Sequence, residues 1–241
     1  MKNVQKEFSD LPKSEHYPIV VKELSQLKRG SLVLDAGCGF GRWVFLAGKM
    51  GFEACGIDTS DLALRAAKNY SPGTGGSNHF METDIRMIPF SSGSVNYVLS
   101  FGAVEHFRDT ARAIREFYRV LAPGGKCFVT TPNTNSFHGV VGNSLRKALR
   151  RKDLGYLGYE DSYTPLQLAS MMRKAGFRNV DYGTIPTGLL LGGFYTFIPA
   201  IGKYAMRCVS AMSYFIERRQ STWGFQSYSM GLKSEVGGET D

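Results

Sequence analysis

Cysteine is scarce in this chain. Its four residues, Cys38, Cys55, Cys127 and Cys208, form no C-x-x-C pair and have no histidine at metal-ligand spacing. Neither a disulfide framework nor a zinc site is expected, and the thiols read as reduced core residues. The first residues contain no apolar signal-type run, because Glu7 and Asp10 interrupt them, so no signal peptide is expected. No internal repeat and no low-complexity tract occurs, which sets aside solenoid architectures. Long apolar runs are missing except between Tyr182 and Gly202, where no charge occurs. That length would allow a membrane span, but Pro186, Pro199 and five glycines break it. Pro199 to Glu217 reads better as an amphipathic helix.

What remains is ordinary for an α/β protein: 241 residues, 43% hydrophobic, 28 glycines. The formal charge is +8, with most of the excess after residue 133. Residues 1–13 are polar and expected to be loose. Glu15 to Leu27 can form a helix that Lys28-Arg29-Gly30 ends. His16 and Tyr17 at its start are read as surface residues, with a place at the rim of a site as the alternative.

The most informative stretch is L-V-L-D-A-G-C-G-F-G-R-W, Leu32 to Trp43. A short apolar strand reaches an acid, Asp35. Gly37, Gly39 and Gly41 then alternate, and a helix follows. Glycines tolerate positive φ and let backbone approach a ligand closely. The dinucleotide fingerprint G-x-G-x-x-G does not fit, because Arg42 stands where its third glycine would be. An acid at the strand end disfavours a pyrophosphate and suits an ammonium or sulfonium group.

Downstream, Phe52 to Ile57 reads as a second strand ending in Asp58, which can accept bonds from both ribose hydroxyls or simply cap the next helix. Thr59, Ser60 and Asp61 are further cap candidates for a helix over 61–70. A short third strand at 79–82 precedes Thr83-Asp84-Ile85. Val95 to Ser100 is the fourth strand, and Phe101 to His106 follows it, where ligands of open parallel sheets bind. A helix over 110–121 leads through Ala122-Pro-Gly-Gly125 to a fifth strand at 126–131. Thr164-Pro165 opens another helix, Asn179 to Tyr182 begins a sixth strand, and Phe225 to Lys233 is the last. A basic helix is expected over 143–152.

D-A-G-C-G-F-G resembles motif I of the class I S-adenosylmethionine (SAM) methyltransferases. I-P-F-S-S-G-S-V-N-Y-V-L-S and R-V-L-A-P-G-G-K-C-F-V-T-T-P-N resemble the small-molecule methyltransferases of ubiquinone and menaquinone biosynthesis. The resemblance covers most of 30–182 and returns weakly near 225–233. It implies a single α/β domain: a doubly wound, seven-stranded, mostly parallel Rossmann-like sheet with helical insertions after strands five and six. Residues 30–133 would form the cofactor half. Insertions 134–162 and 183–224 would form an acceptor lid or a membrane-facing surface.

The implied cofactor is SAM, held by Asp35, Gly37, Gly39, Gly41, Asp58, Thr59, Asp84, Ile85, Ser100 and Phe101. In the family an acid at Asp84 takes the adenine amino group and the Ile85 amide meets a ring nitrogen. Methyl transfer needs alignment and exclusion of water more than a catalytic side chain. His106 is the candidate general base, with helix packing as the alternative, and His138 is a weaker second. Glu105-His106 resembles the acid–His pair that holds a divalent metal in ubiquinone O-methyltransferases. Gly102 replaces the further acid of that pattern, so no metal is expected. Trp43 has core packing as its ordinary reading, while Tyr156, Tyr159 and Tyr163 could line an acceptor pocket.

The expected reaction is methylation of a small-molecule or lipid-like acceptor, with oxygen as the guessed atom. A protein or RNA methyltransferase of the same fold, or a non-catalytic SAM-binding partner subunit, are the alternatives. Nucleic acid is disfavoured, because S-F-G-A after strand four lacks the motif of amino-methylating DNA enzymes. The expected location is cytoplasmic, with peripheral membrane contact through 143–152 and 187–216 as one reading. Oligomeric state is left open.

Overall fold

The computed structural model describes residues 2–70, 77–136, 160–185 and 224–234. Seven strands form one sheet: β1 (Leu32–Ala36), β2 (Glu53–Asp58), β3 (Asn78–Glu82), β4 (Val95–Phe101), β5 (Leu121–Pro132), β6 (Arg178–Ile185) and β7 (Gln226–Leu232). Their order is β3-β2-β1-β4-β5-β7-β6. Pairing is parallel from β3 to β5, and β7 runs antiparallel to both of its neighbours. The chain order therefore reverses between β1 and β4, which creates the crevice where such sheets bind ligands.

The central strands β1, β2 and β4 are buried along most of their length, whereas β7 alternates and the edge strands β3 and β6 are largely exposed. Successive residues still point to opposite sides. Leu34 and Val98 join one core cluster with Ile114, Phe117 and Met172, whereas Val33, Tyr97 and Leu99 join the other with Leu24, Trp43 and Val44. The first cluster lies under α5 (Thr110–Val120) and α6 (Pro165–Ala175); the second lies under α2 (Tyr17–Leu24) and α3 (Arg42–Lys49).

The helix starts follow from capping chemistry. Ser60 Oγ accepts from the Ala63 amide at the start of α4 (Asp61–Lys68), and Asp109 accepts from the Arg112 amide ahead of α5. Thr164 and Gln167 close a capping box with Pro165 in the first turn, and Gly176 at φ 109° ends α6.

Several expectations need correction. Residues 1–13 are not loose: Lys2–Asp10 forms α1 and Leu11–Lys13 a 3-10 turn. The reason is tertiary, since Phe8 packs edge-on against Phe45 and Tyr70 at 5.9 and 6.3 Å, and Leu11 is buried. The helix expected over 15–27 is shorter, Tyr17–Leu24. Strand β5 begins at Leu121 rather than 126, with a register irregularity opposite β4 between Val95 and Tyr97. Strand β6 extends to Ile185. The expected helices 143–152 and 199–217, with His138, Tyr156, Tyr159 and Cys208, lie outside the described residues, as does most of the two insertions. Among the described residues, no helix is long and apolar enough to cross a membrane.

Candidate active site

The turn after β1 is built for three glycines. Gly37, Gly39 and Gly41 take φ values of 85°, 51° and 80°, a region that side chains disfavour. A Cβ on Gly37 would lie 2.2 Å from that of Ala103, so the turn after β1 packs directly on the turn after β4. A Cβ on Gly39 would meet nothing within 4 Å, which leaves open space above the turn. The amides of Gly37 and Cys38 donate to the Ile57 carbonyl at 2.8 and 3.0 Å.

Asp58 closes this arrangement from the end of β2. One carboxylate oxygen accepts from the Gly39 amide at 2.8 Å, the other from the Ser60 amide at 2.9 Å. Capping of α4 belongs to Ser60 rather than Asp58. Asp58 therefore braces the glycine turn, and its oxygens retain lone pairs for further donors. Thr59 beside it is exposed. The Thr83 amide donates to the Asp58 carbonyl at 3.0 Å, which brings the segment after β3 to the same edge.

There Asp84 pairs with Arg86. The guanidinium donates to both carboxylate oxygens, at 2.6 to 3.1 Å, and the Arg86 amide adds a bond of 2.8 Å. These bonds hold the Asp84 carboxyl below its usual range. The Ile85 side chain is buried in the core, so only its backbone faces outward chemistry.

Asp35 behaves differently. It is 2% exposed, and its Oδ2 has no partner among the described residues. Burial pushes its carboxyl up to about 7; the Arg42 cation opposes this, and the Asp58 charge adds to it. A cavity of about 350 Å³ opens beside the glycine turn, between Phe40 and Arg42 on one side and Asp10, Leu11 and Ser14 on the other.

Toward β4 and β5 the site becomes apolar. Ser100 is fully buried and its hydroxyl donates to the Ala36 carbonyl at 2.9 Å, stitching β1 to β4 at the crevice. The Ser100 side chain is thus committed to the sheet. Phe101 is half-buried in an aromatic cluster, with ring centroids 4.9 Å from Trp43, 5.1 Å from His16 and 5.1 Å from Phe128.

His16 is a correction. It is no surface residue but 8% exposed, and its ring bonds Gln226 through Nε2 and Ser14 through Nδ1. Burial drives its pKa down to about 4, and the bond to Gln226 opposes that shift. The ring is neutral at pH 7. Gln226 was not singled out in the sequence, because 210 residues separate it from His16.

The turn after β4 carries Glu105 and His106 in a 3-10 turn, Val104–His106. His106 is half-buried. Glu105 is 2% exposed and its Oε2 has no partner among the described residues; burial pushes it up to about 8. Tyr163 bonds Thr110 and Asp161 through its hydroxyl, so it braces the fold beneath this turn. Among the described residues, no group of three or more His, Cys, Asp or Glu is arranged for a metal ion.

A family model described as a methyltransferase domain matches residues 15–182. The chain belongs to this methyltransferase domain family. The sheet order and the glycine turn are those of its Rossmann-like fold, and SAM is the cofactor that the membership brings. A ubiquinone biosynthesis O-methyltransferase of Bordetella avium is 27% identical over 187 residues, 72% of this chain and 75% of that protein. A probable S-adenosylmethionine-dependent methyltransferase of Mycolicibacterium smegmatis is 29% identical over 121 residues, 50% of this chain and 46% of that protein. The matched stretch therefore spans just under half the length of such mycobacterial relatives.

Among solved structures, a chain of the Haloferax volcanii complex of a methyltransferase with the Trm112 methyltransferase activator superposes with a TM-score of 0.65 at 18% identity. The overlap is 98% of this chain and 96% of that one. Phosphoethanolamine N-methyltransferase 2 of Haemonchus contortus, in complex with SAM, superposes at 0.62 with 20% identity over 90% of this chain and 52% of that one.

The methyltransferase site fits its cofactor in chemistry. Open space lies above Gly39, an acid lies at the carboxyl end of each of β1 and β2, and one buried Asp35 oxygen has no donor among the described residues. An acidic, glycine-lined edge suits a ligand with cationic character and ribose hydroxyls.

Proposed function

We propose that this methyltransferase domain transfers the methyl group of SAM to the oxygen of a small-molecule or lipid-like acceptor. The observation that carries the reading is the Asp58–Gly39 junction, which fixes an acid and a glycine turn together beside the crevice. Support for oxygen comes from the ubiquinone biosynthesis O-methyltransferases among the relatives.

Bound SAM supplies a methyl group already made electrophilic by its sulfonium. The chain's part is to hold and align. Asp58 accepts from ribose hydroxyls while it braces Gly39. Asp84 and the Ile85 amide face the adenine. Gly37, Gly39 and Gly41 let the ligand lie against backbone, and the buried carboxyl of Asp35 lies behind the turn. Ser100 acts only through the β1–β4 stitch, Thr59 through its backbone. Phe101, with Trp43, His16 and Phe128, forms a dry wall that excludes water from the transfer. His106 accepts the proton of the acceptor hydroxyl; His138 is the weaker second candidate for that role. No metal ion is part of this scheme. Residues 143–152 and 187–216 would bring the domain to an anionic membrane surface from the cytoplasm.

The test is incubation of the protein with methyl-labelled SAM and fractionated cell extract. Label in the small-molecule or lipid fraction, lost with Asp58→Ala and reduced at least about 10-fold with His106→Ala, is the expected result. Label in protein or RNA would instead establish the macromolecular alternative. Cofactor binding without label in any fraction would establish a non-catalytic subunit.

A further inference from the structure

The outer face of α5 and α6 gathers positive charge that the methyl-transfer scheme does not use. A groove of about 300 Å³ runs between the two helices, and its charged lining is Arg108, Arg115 and Lys174 against one acid, Asp109. A second cavity, of about 470 Å³, opens where α6 leads into β6, and its charged lining is Arg173 and Arg178. Arg173 and Lys174 are neighbours in the last turn of α6, so that turn borders both cavities.

The acids nearby are engaged or face elsewhere. Asp109 caps α5 and lies 4.0 Å from Arg115. Glu116 of α5 is paired with Arg119 at 2.8 Å, and Asp161 accepts from the Tyr163 hydroxyl at 3.2 Å. Glu160 lies within electrostatic reach of Glu105. Asp181 accepts from the Tyr228 hydroxyl at 3.3 Å, on the side of the sheet opposite to its neighbour Tyr182. Arg173, Lys174 and Arg178 close no ion pair among the described residues.

Apolar side chains flank these cations. Leu166 of α6 is 59% exposed and precedes Arg173 by seven residues, two helical turns, so the two share a face. Tyr182 is 41% exposed, and the Arg173 guanidinium lies 5.3 Å from its ring centroid. Nucleic acid would account for the cations but not for an exposed leucine, which offers no π-face to a base. An anionic bilayer accounts for both: its headgroups meet Arg and Lys, while Leu and Tyr reach the acyl boundary.

We infer that the α5–α6 face docks on an anionic membrane, with Arg173, Lys174 and Arg178 at the headgroups and Leu166 and Tyr182 at the acyl boundary. The inference rests on the membrane contact proposed above for 143–152 and 187–216, and assigns that contact a surface among the described residues. The placement suits a lipid-like acceptor. Arg108 follows His106 by two residues, and Tyr163 in the same groove bonds Thr110, so lipid on this face lies beside the edge that carries His106.

The test is co-flotation of the full chain with vesicles of phosphatidylcholine alone or of equal parts phosphatidylcholine and phosphatidylserine. One variant combines Arg173→Gln, Lys174→Gln and Arg178→Gln. A charge-matched control combines Lys22→Gln, Lys28→Gln and Arg29→Gln, which are exposed on the other side of the sheet. Thermal melts report that each protein is folded. Wild type should bind the phosphatidylserine vesicles, more weakly at high salt. The α6 triple variant should lose about 100-fold in affinity, from about 5-fold per cation, and the control should lose far less. Leu166→Gln should lose about 5-fold or more while keeping every charge.

Unchanged binding of the folded α6 variant would overturn the inference and leave the contact with residues 143–152 and 187–216. Equal losses in both triple variants would overturn it in favour of attraction by net charge alone. If wild type floats with neither vesicle, the membrane contact itself falls, and salt-sensitive binding to RNA in its place would make the face a nucleic-acid surface.

Discussion

At the end of β2 and just after β3, the carboxylates already meet donors within the fold. Asp58 holds Gly39 and Ser60, and Asp84 holds Arg86. At the turn after β4, Glu105 is buried with an oxygen that has no partner among the described residues, and His16 is buried among aromatic rings. The first edge is wired before a ligand arrives, which suits a cofactor that every reaction cycle shares. The second is dry and carries unspent polar capacity, which suits a place where an acceptor completes the site. Asp35 and Arg42 sit at the boundary: one a buried acid with an oxygen that has no hydrogen-bond partner among the described residues, the other a cation within electrostatic reach of it.

The sharpest break in this comparison is at Asp58. Asp58→Ala removes two amide contacts and the ribose acceptor together, so S-adenosylhomocysteine affinity should fall about 100-fold or more by calorimetry. Thr59→Ala, one residue on and exposed, should change it less than about 2-fold. Next comes the junction between the two edges. Gly37→Ala forces a Cβ to 2.2 Å from Ala103 at φ 85° and should cost about 2–4 kcal/mol by denaturant titration. Gly39→Ala, over open space, should cost only about 1 kcal/mol.

Glu105 gives the β4 edge a signature in pH. Its carboxyl is raised from 4.5 to about 8. Between those values the unfolded chain has lost the proton that the folded protein keeps. Wild-type stability should therefore fall as pH rises through that window. Glu105→Gln should flatten the fall by on the order of 2 kcal/mol.

His16 has the opposite sign and a smaller effect. Its pKa is lowered from 6.5 to about 4, so the unfolded chain binds the extra proton in that window and stability rises with pH. His16→Gln should remove about 1 kcal/mol of that rise. Thermal melts from pH 4 to 8 would read both. Parallel profiles for the two variants would erase the distinction between the buried groups.

The sequence showed the wired edge because its devices are local. The glycine turn, Asp58, Ser60 and Asp84-Ile85 occupy short runs that sequence inspection finds directly, and β1, β2 and β4 follow from apolar runs between turn signals, while the seven-stranded sheet is implied by the family resemblance. The dry edge depends on distant residues. His16 looks like a surface residue until Gln226 and Phe101 close around it. Residues 1–13 look loose because most of them are polar, and it is the packing of Phe8 against Phe45 and Tyr70 that holds the segment. Glu105 could be seen as chemistry, but the burial of its carboxyl could not, because other elements decide it. Arg42 appeared only as the residue that spoiled a dinucleotide motif.

The central claim is that the glycine turn and the acids around it hold SAM. Calorimetric titration of the purified chain with S-adenosylhomocysteine, repeated in the presence of NADH, tests it most directly. Micromolar binding that NADH does not displace is the expected result. No binding to folded protein, or displacement by NADH, would contradict the account.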